Sequence, residues 1–160
     1  MIIRYGTVND VDDITNIEAR CFSEADRASW ESMNGRMNRY SEGFWVLERD
    51  GKIAAFINGI LSDEKDLNDD MYNNPQRHIS DGRRLFILSV ATAPEYRHRG
   101  YAGKLMNRVI SDMKAQNKEQ IVLTCKEHMI GFYSLFGFKN EGVSESKHGG
   151  SVWYQMRLYV

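Results

Sequence analysis

Between residues 94 and 103 the chain reads PEYRHRGYAG, which sets Arg97, His98 and Arg99 directly ahead of Gly100 and Gly103. The stretch joins an apolar run, LFILSVATA at 85–93, to a segment in which Met106, Val109, Ile110 and Met113 recur at helical spacing. A strand that feeds a helix through a glycine-containing turn aims several backbone N–H groups at one point, and the helix dipole adds partial positive charge there. Phosphate binding is the chemistry such a turn suits. Gly100 permits a positive φ and close approach, Ala102 is too small to obstruct, and Arg97 and Arg99 supply charge. A solvated turn with both arginines in water is the other reading, because short glycine-containing turns are common.

The elements around this turn follow from spacing and punctuation. MIIRYG reads as a first strand. Val11, Ile14, Ile17 and Cys21 then recur at helical intervals behind the cap candidates Thr7 and Asn9. Ser29 can cap a second helix through WESMNGRMNRY. Two strand-like runs meet at Asp50-Gly51, the dipeptide of a tight hairpin turn. EQIVLTC is a short buried strand, HMIGFYSLFGF a short helix ending at Gly137, and SVWYQMRLYV a closing strand. Hairpins at both ends with a strand–helix–strand unit between them predict an α+β domain on a mixed sheet. Residues 62–84 are polar and long for a connection, which marks a functional or mobile loop.

Bulk properties narrow the function classes. A chain of 160 residues with 42% hydrophobic and 27% charged residues, without repeats or a proline-rich linker, predicts one domain spanning 1–160 with a packed core. A net charge of -1 gives no general attraction to nucleic acid or to an anionic membrane. No apolar run approaches the length of a membrane span, and the N-terminal residues lack the pattern of a secretory signal, so a cytoplasmic location is expected. Cys21 and Cys125 are then expected as free thiols, and with no C-x-x-C spacing they predict no metal site.

Two motifs carry a resemblance. Arg97-His98-Arg99-Gly100-Tyr101-Ala102 resembles the R/Q-x-x-G-x-G/A signature of the GNAT superfamily of N-acetyltransferases, and Gly131 to Phe138, GFYSLFGF, resembles that family's second signature. The element order matches over nearly the whole chain. The resemblance implies a mostly antiparallel, twisted sheet of six to seven strands flanked by about four helices, with a splay between the fourth and fifth strands. It implies acetyl-CoA as co-substrate, with Val90, Ala91 and Thr92 along the pantetheine arm. Arg97, His98, Arg99, Gly100, Tyr101, Ala102 and Gly103 would meet the pyrophosphate. Tyr133 is implied as the general acid that protonates the departing thiolate; a core aromatic within a Phe-Tyr-Leu-Phe cluster is the plainer reading of the same residue.

The stretches IEARCF, DGKIAAFINGIL and VLTCKEHMIGFYSLFGF are similar to arylalkylamine N-acetyltransferases, which implies a small primary amine, aralkylamine or polyamine-like, as acceptor. Those enzymes carry two histidines on the fourth strand, where this chain has Phe86 and Leu88, so a general base is missing from the matching positions. His78, Glu127 and His128 are the titratable residues nearest in sequence. A peptide or protein acceptor, or a domain that binds acyl-CoA without turnover, remains open. Trp30, Met33, Met37, Phe44 and Trp45 would serve as an aromatic acceptor pocket or as core. Asp63, Glu64, Asp66, Asp69 and Asp70 would form an acidic mouth or a solvated face. His148, Gly149 and Gly150 fall in a loop that often borders the acceptor in this family. The closing run VWYQMRLYV is open to two readings, a homodimer through this strand or a sheet edge, or a buried central strand.

Overall fold

Residues 44–49 open with a continuous apolar run, Phe44 to Leu47, as a strand covered on both faces requires. In the computed structural model, which describes residues 1–160, they form strand β2 (Phe44–Arg49). Trp45 and Leu47 enter one core with helix α4 (Tyr101–Ala115); Phe44 and Val46 enter a second core with α1 (Val11–Cys21) and α2 (Trp30–Arg39). The sheet therefore lies between two helical layers. Ser29 caps α2 by accepting the Ser32 N–H at 3.1 Å.

Seven strands run in the order β1-β2-β3-β4-β5-β7-β6. The others are β1 (Ile2–Tyr5), β3 (Lys52–Ser62), β4 (Arg84–Thr92), β5 (Gln120–Cys125), β6 (Lys139–Val143) and β7 (Tyr154–Tyr159). Only β4 and β5 are parallel, the pair that α4 connects; every other pair is antiparallel. The turn between β2 and β3 has Asp50 and Gly51 both left-handed, at φ 55° and 76°, as a tight hairpin turn requires.

The β4–β5 ladder is short. It pairs Arg84 with Gln120 through Ile87 with Leu123 and then stops, while β4 continues to Thr92 along β3. A bulge sits where it stops. Ser89 opposes Asn58 and Ile87 opposes Gly59, which leaves Leu88 unpaired. Beyond Leu88 the two parallel strands diverge, which is the splay expected of the fourth and fifth strands.

Five helices flank the sheet, in keeping with the expected architecture: the expected short helix is α5 (Ile130–Ser134), and α3 (Asp70–Asn73) is a further single turn within residues 62–84. Met33, Met37, Phe44 and Trp45 are at most 2% exposed and belong to the two cores, while Trp30 is exposed with its indole N–H on Asp12; they form no acceptor pocket. The acids of residues 62–84 are not a charged mouth, because Arg83 pairs with Asp63, Arg77 with Glu64 and Asp70, and Arg157 with Asp66. Asp69 accepts from Ser146 and from the Lys147 N–H. The closing strand β7 has β5 on one side and β6 on the other, so its apolar character reflects an interior place in the sheet and not a free edge for pairing.

Candidate active site

The turn after β4 is built to leave amides unoccupied. Pro94–Tyr96 forms a single 3-10 turn, His98 and Gly100 both take positive φ (64° and 77°), and α4 begins immediately after Gly100. The first intrahelical bond runs from the Lys104 N–H to the Gly100 carbonyl, so the N–H groups of Tyr101, Ala102 and Gly103 point out of the helix end. A Cβ placed on Gly100 would meet no atom within 4 Å, which is the open space a phosphate needs.

This turn opens onto a cleft of 830 Å³ that follows the divergence of β4 and β5. Val90, Ala91 and Thr92 line it from β4. Arg97, His98, Gly100, Tyr101, Ala102 and Gly103 line it from the turn and helix start. Arg99 does not line it: its guanidinium lies 5.5 Å from the centre of the Tyr96 ring, on which it stacks. Arg97 is tied back to the end of β4, with Nε donating to the Thr92 carbonyl at 3.4 Å. The Tyr101 side chain is core, its hydroxyl accepting from Arg49 at 3.0 Å, so this residue offers the cleft its backbone. These residues thus line one continuous wall from the glycine turn to the strand.

Tyr133 on α5 lines the same cleft. Its ring packs edge-on against Phe132 and Phe138 at 5.1 and 5.9 Å, so it is both the core aromatic and a cleft residue. Its hydroxyl makes no hydrogen bond to the protein, and burial, aided by Cys125 and Tyr72, pushes the phenol above its ordinary value. It remains protonated at neutral pH.

At the inner end of the cleft stands a residue that the motifs do not flag. Glu18 on α1 is 3% exposed; Oε1 accepts from the Ser89 hydroxyl at 2.8 Å and Oε2 from the Ala28 N–H at 2.9 Å. Burial raises its pKa above the usual carboxylate value, against the lowering effect of these two bonds and of Arg36 and His148. A buried acid on the apolar stripe of α1, four residues after Ile14 and one after Ile17, was the sequence signal available for it. The other candidates are elsewhere. His78 is buried away from the cleft, stacked on Tyr40 at 3.9 Å and accepting the Leu61 N–H at Nδ1. Glu127 is exposed and outside the cleft; His128 is exposed at its rim. Phe86 is sealed in a small core with Ile60, Met71 and Val122, whereas Leu88, on the bulge, faces the cleft.

A second cavity of 160 Å³ adjoins the first. Glu18, Asp26, Tyr72, Leu88, Ser89 and His148 border both and form the throat between them. His148 is fixed there by stacking on Tyr72 at 4.3 Å and by donating from Nε2 to the Asp26 carbonyl at 2.6 Å. Asp26 pairs through Oδ2 with Lys126 at 2.6 Å.

The sequence pattern of the Acetyltransferase (GNAT) family matches residues 11–138. The chain belongs to this family of acyl-CoA-dependent acyltransferases. Its fold is similar to the loading GNATL domain of CurA from Lyngbya majuscula, with a TM-score of 0.79 at 17% identity over 99% of this chain and 96% of that one. It is similar to the ribosomal-protein-S18-alanine N-acetyltransferase from Escherichia coli, with a TM-score of 0.72 at 17% identity, covering 99% and 93% of the two chains. The PaiA N-acetyltransferase from Thermoplasma acidophilum, in complex with coenzyme A, gives 0.69 at 16% identity over 99% and 98%. At such identities the likeness is one of fold.

Proposed function

We propose that this chain transfers an acetyl group from acetyl-CoA to the primary amino group of a small molecule. The observation that carries the reading is the single cleft joining the phosphate cradle at Gly100, the unpartnered hydroxyl of Tyr133 and the buried carboxylate of Glu18. The first would hold the pyrophosphate, with Val90, Ala91 and Thr92 along the pantetheine. Acetyl-CoA supplies a thioester whose carbonyl carbon the amine nitrogen attacks, so that a C–N bond replaces the C–S bond.

Glu18 accepts the proton that the amine must shed, and its raised pKa makes it a better base than an exposed carboxylate. Tyr133 gives its proton to the departing thiolate. Past Ile87 the β5-facing edge of β4 has no ladder partner, so the backbone there is free to meet the thioester carbonyl, with Val90 the residue in place. The arylalkylamine likeness fails at the base, since Phe86 is sealed in core; Glu18 reaches the same place from the opposite helix. A throat narrowed by His148 and Tyr72 beside a small chamber favours a small acceptor.

The test is thiol release from acetyl-CoA over a panel of amines, amino acids and peptides, beside acetyl-CoA binding by calorimetry. Binding with turnover on one small-molecule class supports the reading. Failure to bind acetyl-CoA at millimolar concentration overturns it, and binding without turnover on any acceptor assigns the domain to non-catalytic acyl-CoA binding.

A further inference from the structure

The small chamber behind the throat differs in chemistry from end to end. Its throat carries acceptors, the carboxylates of Glu18 and Asp26. Asp26 Oδ1 is buried without a hydrogen-bond partner, packed against Gly149. The part that the acyl-CoA cleft does not share is lined by Arg36, Arg27, Ser29 and Ser32, all residues with donor groups; Arg36 is buried, while Arg27 and Ser29 are exposed, so this end opens toward solvent.

Arg36 is the unusual member. It is 3% exposed, yet no carboxylate lies within ion-pairing distance. Its bonds go to neutral groups: Nη1 donates to Asn58 Oδ1 at 3.1 Å and Nη2 to the Tyr72 carbonyl at 2.6 Å. Its Nε is buried with no partner at all. A buried guanidinium normally has an anion against it, because the solvation lost on burial is otherwise uncompensated. Glu18 offsets the charge at a distance but does not touch it.

Resting on the acyltransferase reading, we propose that the acceptor is a compact amino carboxylate, a free amino acid. Its amino group lies in the throat between Glu18 and Asp26, and its carboxylate lies on Arg36. The amino nitrogen is acylated, its proton passes to Glu18, and free CoA thiol leaves. A polyamine is disfavoured, because its second cation would be driven against Arg36. An aralkylamine is disfavoured because the chamber offers its ring few apolar neighbours. The chamber holds the volume of about five waters, which suits an amino acid with a short side chain.

The experiment compares each of the free amino acids with its amide, and glycine, alanine and serine also with methylamine, ethylamine and ethanolamine. Thermal shift and calorimetry are recorded with and without acetyl-CoA, and thiol release with it. Binding and acetylation of at least one amino acid is expected, with its amide poorer by roughly 10- to 100-fold in kcat/KM, the value of a charged hydrogen bond. Arg36→Met should abolish the preference while acetyl-CoA affinity stays unchanged. Equal or better use of the amides and amines, or no response to any amino acid while acetyl-CoA binds, overturns the proposal and leaves the acyltransferase reading standing. Should acetyl-CoA itself fail to bind, the acyltransferase reading falls, and amino-acid binding measured without it still decides the chamber. If Arg36→Met does not fold, the acid-against-amide comparison on the native protein decides alone.

Discussion

A carboxylate shut between a helix and a strand holds its proton more tightly than one in water. Burial is the largest influence on Glu18, and it sets the direction of two effects. The base form appears only as pH rises through the raised value, so the ascending limb of kcat/KM should lie above the ordinary carboxylate range. Glu18→Gln should remove that limb and lower kcat on the order of 10²-fold, with acetyl-CoA affinity little changed; an unaltered pH profile would assign Glu18 to bracing alone. Stability follows the same sign: the folded value exceeds the unfolded one, so this contribution is present at low pH and is lost as pH rises through the raised value. Tyr133→Phe removes a hydroxyl that bonds to nothing in the protein, so melting temperature should hold while kcat falls, again on the order of 10²-fold. A large loss of stability with kcat unchanged would make the ring, not the hydroxyl, the useful part.

At the scale of elements, the turn into α4 rests on one backbone angle. Gly100 at φ 77° has open space where a Cβ would go, so Gly100→Val meets no clash but must adopt a conformation that costs about 1–2 kcal/mol for a residue with a Cβ. The expected result is a folded protein, slightly less stable, whose acetyl-CoA Kd rises sharply; an unchanged Kd would show that the cradle amides do not meet the phosphates. This turn was legible in the sequence, as was the Asp50-Gly51 hairpin, because glycine and its neighbours announce local geometry directly. Trp45 and Phe44 were less so. An aromatic run fits a pocket or a core equally well, and only the alternation across a doubly covered strand puts each ring into a core. The acids at 63–70 were read without their partners, since Arg83 and Arg157 reach them from other elements. Glu18 and Arg36 stayed hidden for the same reason. Each is an ordinary charged residue on an amphipathic helix until the sheet buries it.

For the molecule as a whole, His78 marks where acid should loosen the fold. Burial, then Arg39 and Lys118, lowers its pKa to about 4, well under the value of 6.5 it has when solvated. The unfolded chain therefore binds the extra proton first as pH falls, and stability present above pH 6.5 is lost on the way down to about pH 4, by up to about 3 kcal/mol. Urea denaturation at pH 7 and pH 4.5 measures the loss, and His78→Gln, which keeps an acceptor for the Leu61 N–H, should flatten it. The order of the strands has a consequence in time. Because β7 fits between β5 and β6, residues 154–159 are the last of the sheet to leave the ribosome, and until they do β5 carries an uncovered edge and β6 has no neighbour to dock on. The wall of the cleft that holds Tyr133 is thus completed only once residues 154–159 have emerged, and a nascent chain halted before residue 154 exposes a sticky half-sheet with no finished site.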